Sequence, residues 1–261
     1  MNNLKIYIQN FLKYRNLLRE LVVRDIKVKY RRSFLGILWS LLNPLLMMII
    51  ITIVFSSLFR FDIANFPIYL LTGQIMFNFF SEATNMAMFS IIGNGSLIKK
   101  VYIPKYIFPL SKVLSSFVSL LFSLIAIVIM IIITKVKITW TVLFFPLPLL
   151  YVLIFSIGIG MILSAMSVFF RDIFHLYGVI LTAWNYLTPI FYPAKIIPNK
   201  YKFFIEYNPL YYMIECFRDI ILYGKLPSLQ FNLICIMSCT LSLIIGTYVF
   251  YKNQDKYILY I

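Results

Sequence analysis

Long stretches without a single charge decide what this chain can become. The 22 residues between Lys112 and Lys135 and the 33 residues of 138–170 contain no Asp, Glu, Lys or Arg. A bilayer core about 30 Å thick is crossed by roughly 20 mostly apolar residues in helix, and apolar runs of about 18 or more read as spans. Six such runs are present. The first is 33–59, between Arg32 and Arg60; the second is about 66–97 and carries one acid, Glu82. The third lies between Lys112 and Lys135, and the fourth is 138–170. The fifth follows Asp172 and breaks at Pro189 and Pro193, and the sixth is about 226–251. The expected fold class is an all-α membrane protein with six transmembrane helices. Six spans take roughly half of the 261 residues, and with 62% hydrophobic against 13% charged residues little is left for a soluble domain.

The few charges are unevenly placed. Lys and Arg number 24 against nine Asp and Glu, a net +15. They punctuate apolar runs instead of forming the basic face that nucleic-acid binding requires, so no nucleic acid is expected as a partner. Nine of the basic residues precede Ser33, and with the N-terminus inside, sixteen of the 24 fall on cytoplasmic segments. The positive-inside bias therefore puts both termini in the cytoplasm of a multi-pass protein of the plasma membrane. The first 32 residues lack the apolar core of a cleaved signal peptide, so the start of the chain is expected to stay attached. Three regions follow: a cytoplasmic amphipathic segment 1–32, a transmembrane domain 33–251, and a cytoplasmic tail 252–261.

In the first region Leu17, Leu18, Leu21, Val22 and Ile26 recur at helical spacing with Arg15, Arg19 and Arg24 between them, the pattern of a helix lying on a membrane. A basic anchor for membrane lipids and a docking element for a partner both fit. The run Lys29-Tyr30-Arg31-Arg32 leads into the first span, where basic side chains snorkel to the interface. The loop 93–105 has Gly93 and Gly95 at its start, Pro104 near its end, and Leu97, Ile98, Lys99, Lys100, Val101 and Tyr102 between, which suits a short ordered turn of helix. Its apolar members suit lipid or a partner equally. Residues 190–228 are too polar to span and too aromatic for a plain loop, and fit short re-entrant or interfacial helices on the outer face.

Catalytic chemistry is hard to find. There is no phosphate-cradling glycine loop, no zinc-binding His-Glu-x-x-His, no nucleophile elbow, and only one histidine, His175. Cys216, Cys235 and Cys239 lack metal or redox spacing and read as packing residues. Neither a metal nor a bound cofactor is expected. Glu82 is the one acid inside a span. It reads either as a substrate-path or proton-coupling group or as a structural residue near the outer interface, hydrogen-bonded with the help of Asn78, Ser81 and Asn85. Aromatics make up 18% of the chain, most of them facing lipid or forming interfacial belts. A minority suits a path for sugars, whose C–H faces stack on rings: Trp39 and Phe55 in the first span, and Trp184, Tyr186, Phe191 and Tyr192 in the fifth.

Taken together, certain segments resemble one family. They are the run from Arg24 through Ser33-Phe34-Leu35-Gly36 to Trp39 with Leu42-Asn43-Pro44-Leu45; Leu97-Ile98-Lys99-Lys100 through Pro104; and Phe169-Phe170-Arg171-Asp172-Ile173. Leu187-Thr188-Pro189-Ile190-Phe191-Tyr192-Pro193 and Asn208-Pro209-Leu210 with Phe217-Arg218-Asp219 complete the set. In this order they resemble the ABC-2-type permeases that export bacterial polysaccharides, those for O-antigen, teichoic acid and rhamnose-rich wall polymers. The resemblance implies a homodimer joined to two copies of an ABC ATPase that binds ATP and magnesium, with a lipid-linked polysaccharide as substrate. It also implies an interface helix at the N-terminus, a coupling helix in 93–105 and gating helices in 190–228. Arg171 and Asp172 become either a charge pair near the entry or a marker of a span's end. Lys29, Tyr30, Arg31 and Arg32 become a site that attracts the lipid diphosphate. Rival readings are an ABC-2 exporter of drugs or small lipids, a secondary transporter or flippase, which needs a relay of intramembrane charges, and a glycan-modifying enzyme, which needs clustered acids or histidines.

Overall fold

The computed structural model describes residues 2–31, 33–58, 63 and 65–261, with side chains from Leu12 onward except those of 56–58. The described residues form helices and connecting turns, with no strand among them. In chain order the helices are α1 Asn2–Tyr30, α2 Trp39–Leu58, α3 Phe66–Met88, α4 Ser90–Gly93, α5 Gly95–Lys100 and α6 Ile107–Thr134. They continue with α7 Pro146–Phe169, α8 Ile173–Leu187, α9 Phe203–Glu206, α10 Pro209–Ile221, α11 Leu229–Asn253 and α12 Tyr257–Tyr260.

Six of these, α2, α3, α6, α7, α8 and α11, run alternately between two ends of one bundle. The near end carries the loop 93–105; the far end carries residues 188–225. Four stretches are long and apolar enough to cross a membrane: Gly36–Phe55, Ile107–Thr134, Trp140–Phe169 and Leu229–Tyr260. The other two traverses differ from the simple expectation. The second run does not stay helical to residue 97: α3 stops at Met88, and the chain re-forms as the short α4 and α5. Gln74, Asn78, Glu82 and Asn85 also make α3 more polar than the rest. The 15 residues of α8 reach about 22 Å, short of a full bilayer core, because Thr188, Pro189 and Pro193 end the helix.

Local chemistry sets the corners. Between α1 and α2 the chain turns at Gly36, whose φ of +53° is the left-handed region that favours glycine, and Ser33 Oγ accepts from its N–H at 3.1 Å. α7 opens with Pro146 in its first turn, where no intrahelical donor is lost. Asn208 caps α10 through Leu210 N–H (3.1 Å), and Ser228 caps α11 through Phe231 N–H (3.2 Å).

α3 is the central helix, buried along most of its length against α6 and α7. α7 in turn lies directly on α11, because Gly158 faces the backbone of Ser242 and Gly246 so closely that no side chain fits at either glycine. A separate cluster at the near end brings Leu18 and Leu21 of α1 onto Ile98, Phe108, Val168, Phe250 and Tyr257. One face of α1 thus docks on its own bundle, fixed by Asp25, which pairs with Lys112 of α6 at 3.0 Å and with Arg24 at 3.1 Å.

Candidate functional site

The loop 93–105 folds as anticipated into a helical turn, and burial divides its residues. Asn94 Nδ2 donates to Ser90 O at 2.7 Å, which fixes the start of α5. Ile98 is buried and Leu97 half-buried, both in the near-end cluster. Lys99 donates to the carbonyl of Ile261, and Lys105 to that of Gln254, so the segment 254–261 braces the loop. Pro104 is half-buried. What remains outward is Ser96, Lys100, Val101 and Tyr102, the last almost fully exposed at 95%. No hydrogen bond or ion pair joins the Lys100 and Tyr102 side chains to the described residues.

Beside it, the ends of α1, α2, α3 and α6 enclose a cavity of about 500 Å³. Lys29 Nζ lies 2.7 Å from Glu82 Oε1, and Ser116 Oγ donates to the same oxygen at 3.1 Å. Tyr30, Trp39, Ser40, Asn43, Asn78, Ser119 and Ser123 complete most of its polar wall. Glu82 is therefore not near the far interface as its local sequence suggests. It lies six residues from the near end of α3 and is paired with a lysine 53 residues away in sequence. The basic run Lys29 to Arg32 is split accordingly: Lys29 is neutralised, Tyr30 turns to the cavity, Arg31 is exposed with no ion pair among the described residues, and Arg32 lies outside them.

At the far end the aromatic candidates separate in the same way. Phe55 stacks on Phe66 (6.4 Å between centroids) and on Phe191 (6.1 Å), and Phe191 meets Tyr186 at 6.2 Å. Tyr192 donates to Tyr186 O, while Tyr192 O accepts from Tyr69 at 3.0 Å. Trp184 differs from this group. It packs against Phe80 (5.0 Å) and Phe155 (6.5 Å) in the core, and its Nε1 donates to Asn208 at 2.9 Å. Trp39 is at the other end, half-exposed in the cavity wall.

Arg218 organises the far end and was not among the sequence-derived site residues. It has no solvent exposure and lies over the Tyr69 ring at 3.5 Å. It donates to Pro189 O (2.9 Å), Glu215 (2.8 Å), Tyr69 O (3.2 Å) and Ile190 O (3.4 Å). A cation among Phe217, Ile220 and Ile221 was the available signal. Next to it, burial pushes the Asp219 carboxyl above the usual range, opposed by Lys225 at 3.2 Å. The serines of α6 at 116, 119 and 123 were a second missed signal, a polar stripe at helical spacing in an apolar helix.

Arg171 and Asp172 are both exposed and form no ion pair with each other. No cluster of metal-ligating side chains occurs among the described residues. The arrangement offers a polar near-end cavity, an outward basic and aromatic surface and a braced aromatic far end.

Comparison with known proteins adds identity to this geometry. A family model described as "ABC-2 type transporter" matches residues 16–222. The chain is similar to the O-antigen export system permease protein RfbA of Klebsiella pneumoniae, 32% identical over 238 residues and 90% of each chain. It is similar to the protein of the same name from Myxococcus xanthus, 31% identical over 85% of this chain and 86% of the relative. The polysialic acid transport protein KpsM of Escherichia coli is 24% identical over 78% and 80%.

Proposed function

The chain belongs to the ABC-2 type transporter family, and on that premise we propose that it is the membrane subunit of an ABC exporter that moves a lipid-linked polysaccharide out of the cytoplasm. The observation that carries this reading is its likeness, over nine-tenths of its length, to permeases named for O-antigen export.

Two copies of the chain pair across the face where α2 and α8 leave Ile49, Ile53, Val179 and Tyr186 exposed, and two copies of an ABC ATPase bind on the cytoplasmic side. The near end is cytoplasmic, and α2, α3, α6, α7, α8 and α11 make six passes. α3 tolerates its polar residues because protein covers it, and α8 tolerates its shortness because a second copy covers it. The ATPase takes Lys100, Val101 and Tyr102, and α5 passes its movement to the bundle through Leu97 and Ile98. ATP and magnesium act only in that partner. A proton-driven carrier is disfavoured because Glu82, the one intramembrane acid, is paired with Lys29 and has no relay.

Deleting the gene and restoring it on a plasmid tests the reading. Surface polysaccharide should disappear in the deletion strain, with lipid-linked polymer accumulating inside, and return on complementation. Unchanged surface polymer in the deletion strain would overturn it.

A further inference from the structure

The near-end cavity has a chemistry that the export reading does not by itself supply. Asn43 and Asn78 face it, and their amides make no hydrogen bond with any described residue. Asn78 lies ten residues from the end of α3, about 15 Å along the axis, and like Asn43 it is exposed to the cavity and open to a ligand. Glu82 is half engaged as well: Lys29 and Ser116 both bond Oε1, and Oε2 has no partner among the described residues. Two amides and a carboxylate oxygen therefore point into a space of about 500 Å³, the size of a small-molecule site.

Charge separates the ligand classes. The described residues of the wall include one cation and one anion in direct contact, and their formal charges cancel. An arriving phosphate would meet Glu82 together with Lys29, and among the described residues no second cation lines the cavity. A neutral polyol meets none of this repulsion. Its hydroxyls donate to Glu82 Oε2 and to the amide oxygens and accept from the amide N–H groups, while the half-exposed Trp39 indole offers a face to its C–H side.

Resting on the export reading, we infer that this cavity is a binding subsite for an uncharged sugar unit of the exported chain, with Trp39, Asn43, Asn78 and Glu82 as its contacts. The lipid diphosphate binds elsewhere.

The test uses the full chain in lipid nanodiscs and the change in tryptophan fluorescence on titration. One probe is the cell's own surface polysaccharide, freed of lipid and phosphate by mild acid; the other is farnesyl diphosphate. The glycan should give a saturable change that vanishes in Trp39→Phe and needs at least tenfold more glycan in Asn78→Leu, with farnesyl diphosphate silent. Asn43→Leu replaces Asn78→Leu if the latter fails to fold. A response to farnesyl diphosphate without one to the glycan makes the cavity a phosphate site and overturns the inference. No saturable response to either makes it a water-filled space and overturns it equally. The wild-type chain is checked in parallel for restoring surface polymer to the deletion strain. Export restored without glycan binding removes the subsite alone, whereas polymer present without the gene removes the export reading.

Discussion

Replacing Arg218 by Met keeps much of the side chain's length and removes its charge and donors. Four hydrogen bonds are lost, and the Glu215 carboxylate, 16% exposed, loses its ion partner. Breaking a buried pair from one side costs about 3–5 kcal/mol, mostly because the remaining charge stays desolvated. The folded-to-unfolded ratio should fall by a factor of roughly 10² to 10⁴. A double-mutant cycle separates this from loss of packing. In Arg218→Met with Glu215→Gln no stranded carboxylate remains, so the double variant should be more stable than the sum of the two singles by about 1–3 kcal/mol. Gly73→Ala provides an independent probe, since its new Cβ would come within 2.8 Å of Arg218 Nη2 and push the guanidinium off its carbonyls. The assay is unfolding of the purified chain in detergent, followed by far-UV circular dichroism against temperature and denaturant. A loss below about 1 kcal/mol for Arg218→Met, or strict additivity with Glu215→Gln, would refute the assignment of Arg218 as the clamp of the far end.

Three further outcomes are expected. Tyr102→Ala with Lys100→Glu should weaken association with the ATPase at least tenfold in a pull-down while leaving stability within about 0.5 kcal/mol, whereas Ile98→Ala should cost about 2 kcal/mol or more through a buried cavity. Lys112→Met leaves the buried Asp25 with Arg24 as its remaining charged partner and should cost about 2 kcal/mol; α1 should then be cleaved faster by limited proteolysis than in the wild type. Gly158→Val forces α7 off the backbone of α11 and should prevent accumulation in the membrane, while Gly178→Val, in open space, should accumulate normally by immunoblot.

What could be read from the sequence follows the range of the interactions involved. Helix content came from uninterrupted apolar runs, and the caps at Asn208-Pro209 and Ser228 and the turn at Gly36 are set by neighbouring residues, so all were within reach of a local pattern. The ordered turn in 93–105 was legible for the same reason. Its division into an inward face (Leu97, Ile98) and an outward one (Lys100, Tyr102) depends on helices from four other parts of the chain and was not. Glu82 is the sharpest case. Its neighbours Asn78, Ser81 and Asn85 suggested local hydrogen bonding at the outer interface, but its partners are Lys29 and Ser116, brought together only when α1 and α6 pack on α3. Trp184 looked like its aromatic neighbours in sequence, and only the packing of α8 on α3 and α7 sends it into the core while Tyr186 stays exposed. Arg218 escaped because a buried arginine is tolerable only if carbonyls from elsewhere in the chain converge on it, and Pro189, Ile190 and Tyr69 do so from two other segments.

The central claim, polymer export driven by a separate ATPase, is met most directly by reconstitution. The chain and its ATPase are placed in sealed vesicles with lipid-linked polysaccharide, and polymer crossing to the face opposite the ATPase is followed with an impermeant glycan-binding lectin. Crossing should require ATP and the partner and fail when the chain carries Lys100→Glu with Tyr102→Ala. Crossing at the same rate without ATP or without the partner, or none with both present, would contradict it.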